Sequence, residues 1–182
     1  MLNKWNQWYR NLSKEPTEGL YGGPSTYVLG AEFLEDCNTV EDWGTGTGAF
    51  KLYRENAIGI DGSDTPHADK KVDLTEYESC CDGIFMRHVL EHNAEWKKIV
   101  KNALKSAHKK VCIVFDTPLN EGATVDIVEI STCNKKHGVD VKTYSLGKEF
   151  RKALKGHKVK KIMCGTETIF YVTKGNHEDK QL

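Results

Sequence analysis

The apolar residues of this chain fall into short runs that alternate between strand-like and helical spacing. Val40 to Trp43 reads as a buried strand. Ala57 to Asp61, Lys70 to Leu74 and the start of the 81 to 93 segment are further strands, each closing on a polar or acidic corner. Trp96, Ile99, Val100, Ala103 and Leu104 recur at helical intervals and mark an amphipathic helix, followed by a strand over Val111 to Phe115 and a corner at Asp116-Thr117-Pro118. Upstream, Trp5, Trp8, Tyr9 and Leu12 share helical spacing, and the turn Tyr21-Gly22-Gly23-Pro24 opens a helix over Ser25 to Glu35, with Pro24 at a tolerated first-turn position. Downstream, Val125 to Ile130 is ambiguous between strand and helix, Ser145 to Leu154 resembles a capped helix, and Val159 to Cys164 pairs with Thr168 to Val172 as a closing hairpin around Gly165-Thr166-Glu167. The alternation is β-α-β, the pattern of a doubly wound sheet.

Composition narrows this to one domain. The chain has 182 residues, 38% hydrophobic and 29% charged, enough for a single core. Residues 1–174 are expected to form that domain, with 1–23 as an N-terminal flap and 175–182 as a polar tail. Lys+Arg and Asp+Glu are each 26, so no net field exists to hold a polyanion, and the lysine runs at 97–110 and 148–161 read as solvated helix faces. The six cysteines include no C-x-x-C pair and several sit in apolar strands, the usage of a reduced compartment rather than of a metal or disulfide framework. The N-terminus lacks the apolar core and cleavage site of a leader, and no stretch approaches the ~20 apolar residues of a membrane span, so a cytoplasmic location without membrane contact is expected.

The chemistry concentrates at residues 40–48, Val-Glu-Asp-Trp-Gly-Thr-Gly-Thr-Gly. Glycines at Gly44, Gly46 and Gly48 allow a sharp turn and close approach of a ligand to the backbone, and a following helix would offer free N–H groups. The spacing differs from the dinucleotide fingerprint G-x-G-x-x-G, since Ala49 stands where its third glycine belongs, and so leans away from NAD. Asp61 ends the second strand, where an acid accepts from ribose hydroxyls. Asp73 ends the third, placed to accept from an exocyclic amine such as that of adenine. Asp42, Asp61 and Asp73 therefore stand at three successive strand ends.

With the fourth corner, Arg87-His88-Val89-Leu90-Glu91-His92, these motifs resemble the class I S-adenosylmethionine (SAM)-dependent methyltransferases over roughly residues 37 to 120. The resemblance implies a Rossmann-like α/β fold, a three-layer αβα sandwich around a mostly parallel seven-stranded sheet with an antiparallel closing strand. It also implies SAM as cofactor and S-adenosylhomocysteine as product, held by Asp42, Gly44, Thr45, Gly46, Gly48, Asp61, Gly62, Asp73, Leu74 and Arg87, with strand 4 ending beside the transferred methyl. Trp43 departs from the small aliphatic residue usual in the family.

A sulfonium-activated methyl asks the protein mainly for alignment and exclusion of water. An alcohol acceptor must also lose a proton, and a positioned base is worth about 10² to 10⁴ in rate. His88 is the preferred base, His92 the second candidate and Asp116 a carboxylate alternative. Arg87 either orients cofactor or substrate or pairs with Glu91. The Asn/Asp-Pro-Pro-Tyr corner of DNA amino-methylating enzymes is absent, so DNA is disfavoured. With Arg87 and His88 at the strand-4 corner, no metal is expected. Trp5, Tyr9 and Tyr21 offer a stacking wall for a small ring or sugar. The Trp-rich start, Tyr-Gly-Gly turn and Arg-His-Val-Leu-Glu-His-Asn corner are also similar to small glycan-decorating methyltransferase modules of large viruses, which implies a sugar hydroxyl as acceptor. An N-methyltransferase of a small amine or protein side chain, and a non-catalytic cofactor-binding module, stand as alternatives.

Overall fold

A computed structural model describes residues 4–9, 12, 14–17, 25–115, 126–130, 142–145 and 147–175. The elements run α1 (Lys4–Tyr9), α2 (Ser25–Phe33), β1 (Val40–Trp43), β2 (Ile58–Asp61), β3 (Lys70–Lys71), β4 (Cys81–Arg87), α3 (Trp96–Ser106) and β5 (Ala107–Phe115). They continue with β6 (Asp126–Ile130), β7 (Lys142–Ser145), α4 (Lys148–Ala153), β8 (Lys158–Cys164) and β9 (Glu167–Thr173). Seven strands form one sheet in the order β3-β2-β1-β4-β5-β9-β8. The first five are parallel to one another, β9 is antiparallel to both neighbours, and β8 therefore points with the five. Six strands in one direction and one against is the arrangement expected from the motif order.

Alternation along each strand feeds two cores. Ile84 and Met86 of β4, Val111, Ile113 and Phe115 of β5, and Phe170 and Val172 of β9 face the layer containing α3 and α4. Phe85, Cys112, Val114 and Ile169 face α2 and the 3₁₀ turn Ala49–Leu52. Trp96, Ile99, Val100 and Ala103 are the buried stripe of α3, and burying each large apolar side chain contributes about 1.5–3 kcal/mol. The sheet is thus covered on both sides, which is why β4 and β5 carry continuous apolar runs.

The order reverses between β1 and β4, the switch point beside which open α/β sheets bind ligands, so the loops after these two strands flank the crevice. Several local expectations change. Residues 49–57 are too few for a full helix and its return to β2, and the helix anticipated after the glycine loop is a single 3₁₀ turn. The third strand stops at Lys71, because Asp73 accepts from the Thr75 N–H (2.9 Å) and hydroxyl (2.8 Å) and turns the chain out of the ladder. The ambiguous segment forms β6 over 126–130, paired antiparallel with β7, which takes up Ser145, and α4 starts at Lys148. Tyr21 to Pro24, Asp116 to Pro118 and the tail 176–182 lie outside the described residues. Among the described residues no helix is long and apolar enough to cross a membrane.

Candidate active site

The glycine loop is pinned from two sides. Gly44, Gly46 and Gly48 adopt φ of +81°, +50° and +73°, a left-handed path that side chains with a Cβ rarely follow. Gly44 N–H (2.7 Å) and Thr45 N–H (3.2 Å) donate to the Ile60 carbonyl of β2, so the loop folds back over the neighbouring strand end. Asp61, buried at that end, accepts from Gly46 N–H (3.0 Å), Ser63 N–H (2.9 Å) and the Ser63 hydroxyl. The Thr65 hydroxyl donates to the Gly46 carbonyl. Three protein donors already engage Asp61, and a carboxylate offers about four acceptor sites. One ribose hydroxyl fits beside them; a second requires the Ser63 hydroxyl to turn away.

Asp42 lies under this loop, almost wholly buried. Burial pushes its carboxyl up to about 7 and the Asp61 charge adds to the shift, while Thr45, Lys51 and Arg87 act against it. A carboxyl this poorly compensated suits a cationic ligand. The ammonium and sulfonium of SAM are such charges, so the buried, uncompensated Asp42 fits that cofactor. Of the two residues expected beside an adenine, Leu74 is buried and its carbonyl accepts from Asn102 Nδ2 (3.0 Å), whereas Asp73 is exposed. Gly62 lies directly behind Asp61. Trp43 is fully buried and donates from Nε1 to Glu41 Oε2 (2.8 Å). Glu41 also accepts from the Ser79 hydroxyl (2.7 Å) and Tyr77 hydroxyl (3.0 Å). The tryptophan thus serves a buried polar network that its place in an apolar run concealed.

The strand-4 corner holds the densest charge cluster. Arg87 pairs with Glu167 of β9, Nη2 to Oε1 at 2.7 Å. Its Nε–H donates to the Thr26 hydroxyl (3.1 Å), its Nη1–H to the Tyr27 hydroxyl (2.8 Å), and the guanidinium carbon sits 4.5 Å from the Tyr27 ring centroid. Burial pushes the Tyr27 phenol up to about 12, so it stays neutral beside Arg87. His88 Nε2 lies 2.5 Å from the same Glu167 oxygen, and the Thr26 hydroxyl donates to the other (2.9 Å). Burial opposes the Glu167 charge, but the His88 hydrogen bond and the Arg87 charge outweigh it and hold the carboxyl below its ordinary range. Removing one partner of such a buried pair costs about 3–5 kcal/mol.

His88 has φ +55°, the positive value of a non-glycine residue among those described, at a cost on the order of 1–3 kcal/mol. Its N–H donates to the Val114 carbonyl of β5 (3.0 Å), which helps hold the corner. The chain then enters a 3₁₀ turn at Leu90–His92, and the helix begins only at Trp96, so His92 does not share a helical face with His88. Its ring tilts against Trp5 instead, with centroids 5.6 Å apart. Sequence reasoning brought His88 and Arg87 to this corner but missed Glu167, 79 positions away at the start of β9, and Thr26. Asp116, the carboxylate alternative, lies outside the described residues.

Helix α1 closes the side of the crevice. Asn6 Nδ2–H donates to Asp64 Oδ2 (2.6 Å) while Asp64 N–H donates to Asn6 Oδ1 (2.7 Å), fastening the helix to the loop after β2. Tyr9 stacks on Trp5 (6.1 Å), and its hydroxyl would lie 2.9 Å from a Cβ placed on Gly46. Trp5 thus stands against His92 of the strand-4 corner and Tyr9 against the glycine loop, whereas Tyr21 lies outside the described residues. A cleft of about 420 Å³, lined by Tyr9, Leu12, Lys14, Ser63, Asp64 and Lys71 among others, opens beside them.

No protein-family model and no curated protein matches the chain. Solved structures do. Magnesium protoporphyrin IX methyltransferase of Synechocystis PCC 6803, solved with bound SAH, superposes with a TM-score of 0.61 at 16% identity, over 94% of each chain. An amino pentose methyltransferase of Micromonospora echinaspora with bound SAM gives a TM-score of 0.57 at 11% identity, covering 87% of this chain and 100% of that one. Human N-acetylserotonin methyltransferase in complex with SAM gives 0.57 at 13% identity, covering 84% of this chain and 52% of that one. Five parallel strands with β9 inserted antiparallel before β8, and the glycine loop at the β1/β4 switch point, give this chain the fold that these methyltransferases share.

Proposed function

We propose that this protein is a SAM-dependent methyltransferase that methylates a hydroxyl group of a small molecule or glycan without a metal. One observation carries the reading: a glycine loop, left-handed at all three glycines, is folded onto Asp61 above the buried Asp42, at the switch point of a fold whose solved neighbours include SAM- and SAH-bound methyltransferases. SAM, when bound, supplies a methyl group made electrophilic by a positive sulfur. Asp42 and Thr45 hold the charged methionine end, Asp61 accepts from the ribose, and Asp73 and Leu74 border the base. Trp5 and Tyr9 screen the site from water and form one wall for the acceptor.

His88 would take the proton of the acceptor hydroxyl as that oxygen attacks the methyl group that bound SAM would supply, with the sulfur as leaving group. Arg87, spent on Glu167, Thr26 and Tyr27, organises the corner. A half-buried histidine just after β4 favours a hydroxyl over an amine acceptor, because an amine attacks with a lone pair it already has. The test is calorimetric titration with SAM followed by transfer of an isotopically labelled methyl group to panels of sugars, phenols and amines. Binding of SAM with transfer to a hydroxyl is expected. Absence of SAM and SAH binding sinks the reading, and transfer confined to amines moves it to N-methylation.

A further inference from the structure

We propose that Glu167 is a positioning residue for methyl transfer: from β9 its carboxylate holds the His88 imidazole, at the end of β4, in the orientation and tautomer in which the ring accepts the proton. The proposal rests on the hydroxyl-methylating reading above. Nothing local in the sequence links the two residues, yet they are 2.5 Å apart and both largely shielded, with 13% of the His88 side chain and 7% of the Glu167 side chain exposed.

The geometry leaves Glu167 little freedom. One oxygen is shared by His88 and Arg87, the other takes the Thr26 hydroxyl, and Arg87 is itself fixed by Thr26 and Tyr27 of α2. Glu167 also begins β9, whose ladder to β5 starts at the Phe115–Thr168 pair. Three elements thus converge on one carboxylate. An ionised carboxylate only accepts, so the His88 nitrogen facing it, Nε2, must carry a proton, and in the neutral ring the basic lone pair is then on Nδ1. The strained backbone at φ +55° is the second sign. A left-handed histidine persists only where its surroundings hold it, and such strain concentrates at functional sites. Arg87 complements this role: its charge favours the carboxylate form, which keeps the shared proton on the imidazole side.

The group facing His88 across this contact is Glu167, with Arg87 and the Thr26 and Tyr27 hydroxyls behind it, so Glu167→Gln changes the charge with little change of shape. In the full chain, Glu167→Gln is expected to lower kcat about 10- to 1,000-fold, bounded by the loss of the base itself. KM for the acceptor and calorimetric affinity for SAM should stay near wild type. Adding Glu167→Gln to His88→Ala should cause no further loss, since the carboxylate acts through the ring. Independently of activity, nitrogen NMR of wild-type His88 at neutral pH should show the proton on Nε2, and Glu167→Gln should disturb that signature. An unchanged kcat, an equal further loss in the His88→Ala background, or a wild-type ring protonated on Nδ1 overturns the proposal. If wild type transfers methyl to no hydroxyl, the functional reading fails, and the ring signature still decides whether Glu167 sets the imidazole. Should Glu167→Gln not fold, Glu167→Asp and the wild-type ring measurement decide in its place.

Discussion

Replacing Asp42 by Asn is expected to remove a pH dependence of cofactor binding that the wild-type chain shows between about pH 6 and 8. Burial raises this carboxyl from an ordinary 3.8 to about 7. A group titrating there is about nine-tenths protonated at pH 6 and nine-tenths ionised at pH 8, and a cationic ligand prefers the ionised form, so Kd for SAM should fall about tenfold across that interval. Below 7, binding should also release a proton, visible by calorimetry in buffers of different ionisation enthalpy. Titration of the ligand's own amine is common to wild type and variant and cancels in their comparison. The same shift has a stability consequence of defined sign. A folded-state value above the unfolded one stabilises the fold below about pH 4, and that contribution is lost as pH rises through about 7, a swing of at most about 4 kcal/mol. Asp42→Asn should therefore bind SAM more weakly at pH 8, with a flatter dependence on pH, while its apo melting temperature loses less than that of wild type between pH 4 and 8. A wild-type Kd that is level from pH 6 to 8, or an equal slope in Asp42→Asn, would refute the assignment of this carboxyl to the cation.

Three further outcomes are expected. Gly46→Val places a β-branched side chain at φ +50° with its Cβ 2.9 Å from the Tyr9 hydroxyl, so SAM binding should fail and the melting temperature should drop by the equivalent of about 1–3 kcal/mol; normal binding would place the loop away from the ligand. Asp61→Ala removes the acceptor for Gly46 N–H and Ser63 as well as for the ribose, and calorimetry should register at least about a tenfold loss of affinity, with an unchanged value removing the ribose assignment. His88→Ala should lower turnover about 10² to 10⁴ fold with SAM affinity retained, whereas His92→Ala, whose ring lies against Trp5, should have the smaller effect; the reverse ranking would move the base to His92.

The resemblance between this chain and methyltransferases was legible because its signals are local. Glycines at alternate positions permit the left-handed turn seen here, Asp61 closes the apolar run of β2 at the strand end, and a 3.6-residue stripe such as Trp96, Ile99, Val100 and Ala103 declares its buried face. Asp42, Asp61 and His88 could be named from such short-range patterns. Their surroundings could not. Glu167 reaches His88 and Arg87 only because β9 inserts antiparallel beside β5. The same holds for Glu41, whose donors Tyr77 and Ser79 arrive from beyond β3, and for Asp61, which accepts from the glycine loop. The helix expected after Gly48 shrank to one 3₁₀ turn because the chain must return to β2 within residues 49–57. Residue type and spacing determined the elements and the kind of chemistry. Which carboxylate meets which cation was decided by long-range strand pairing, whose partners are brought together only when the sheet closes.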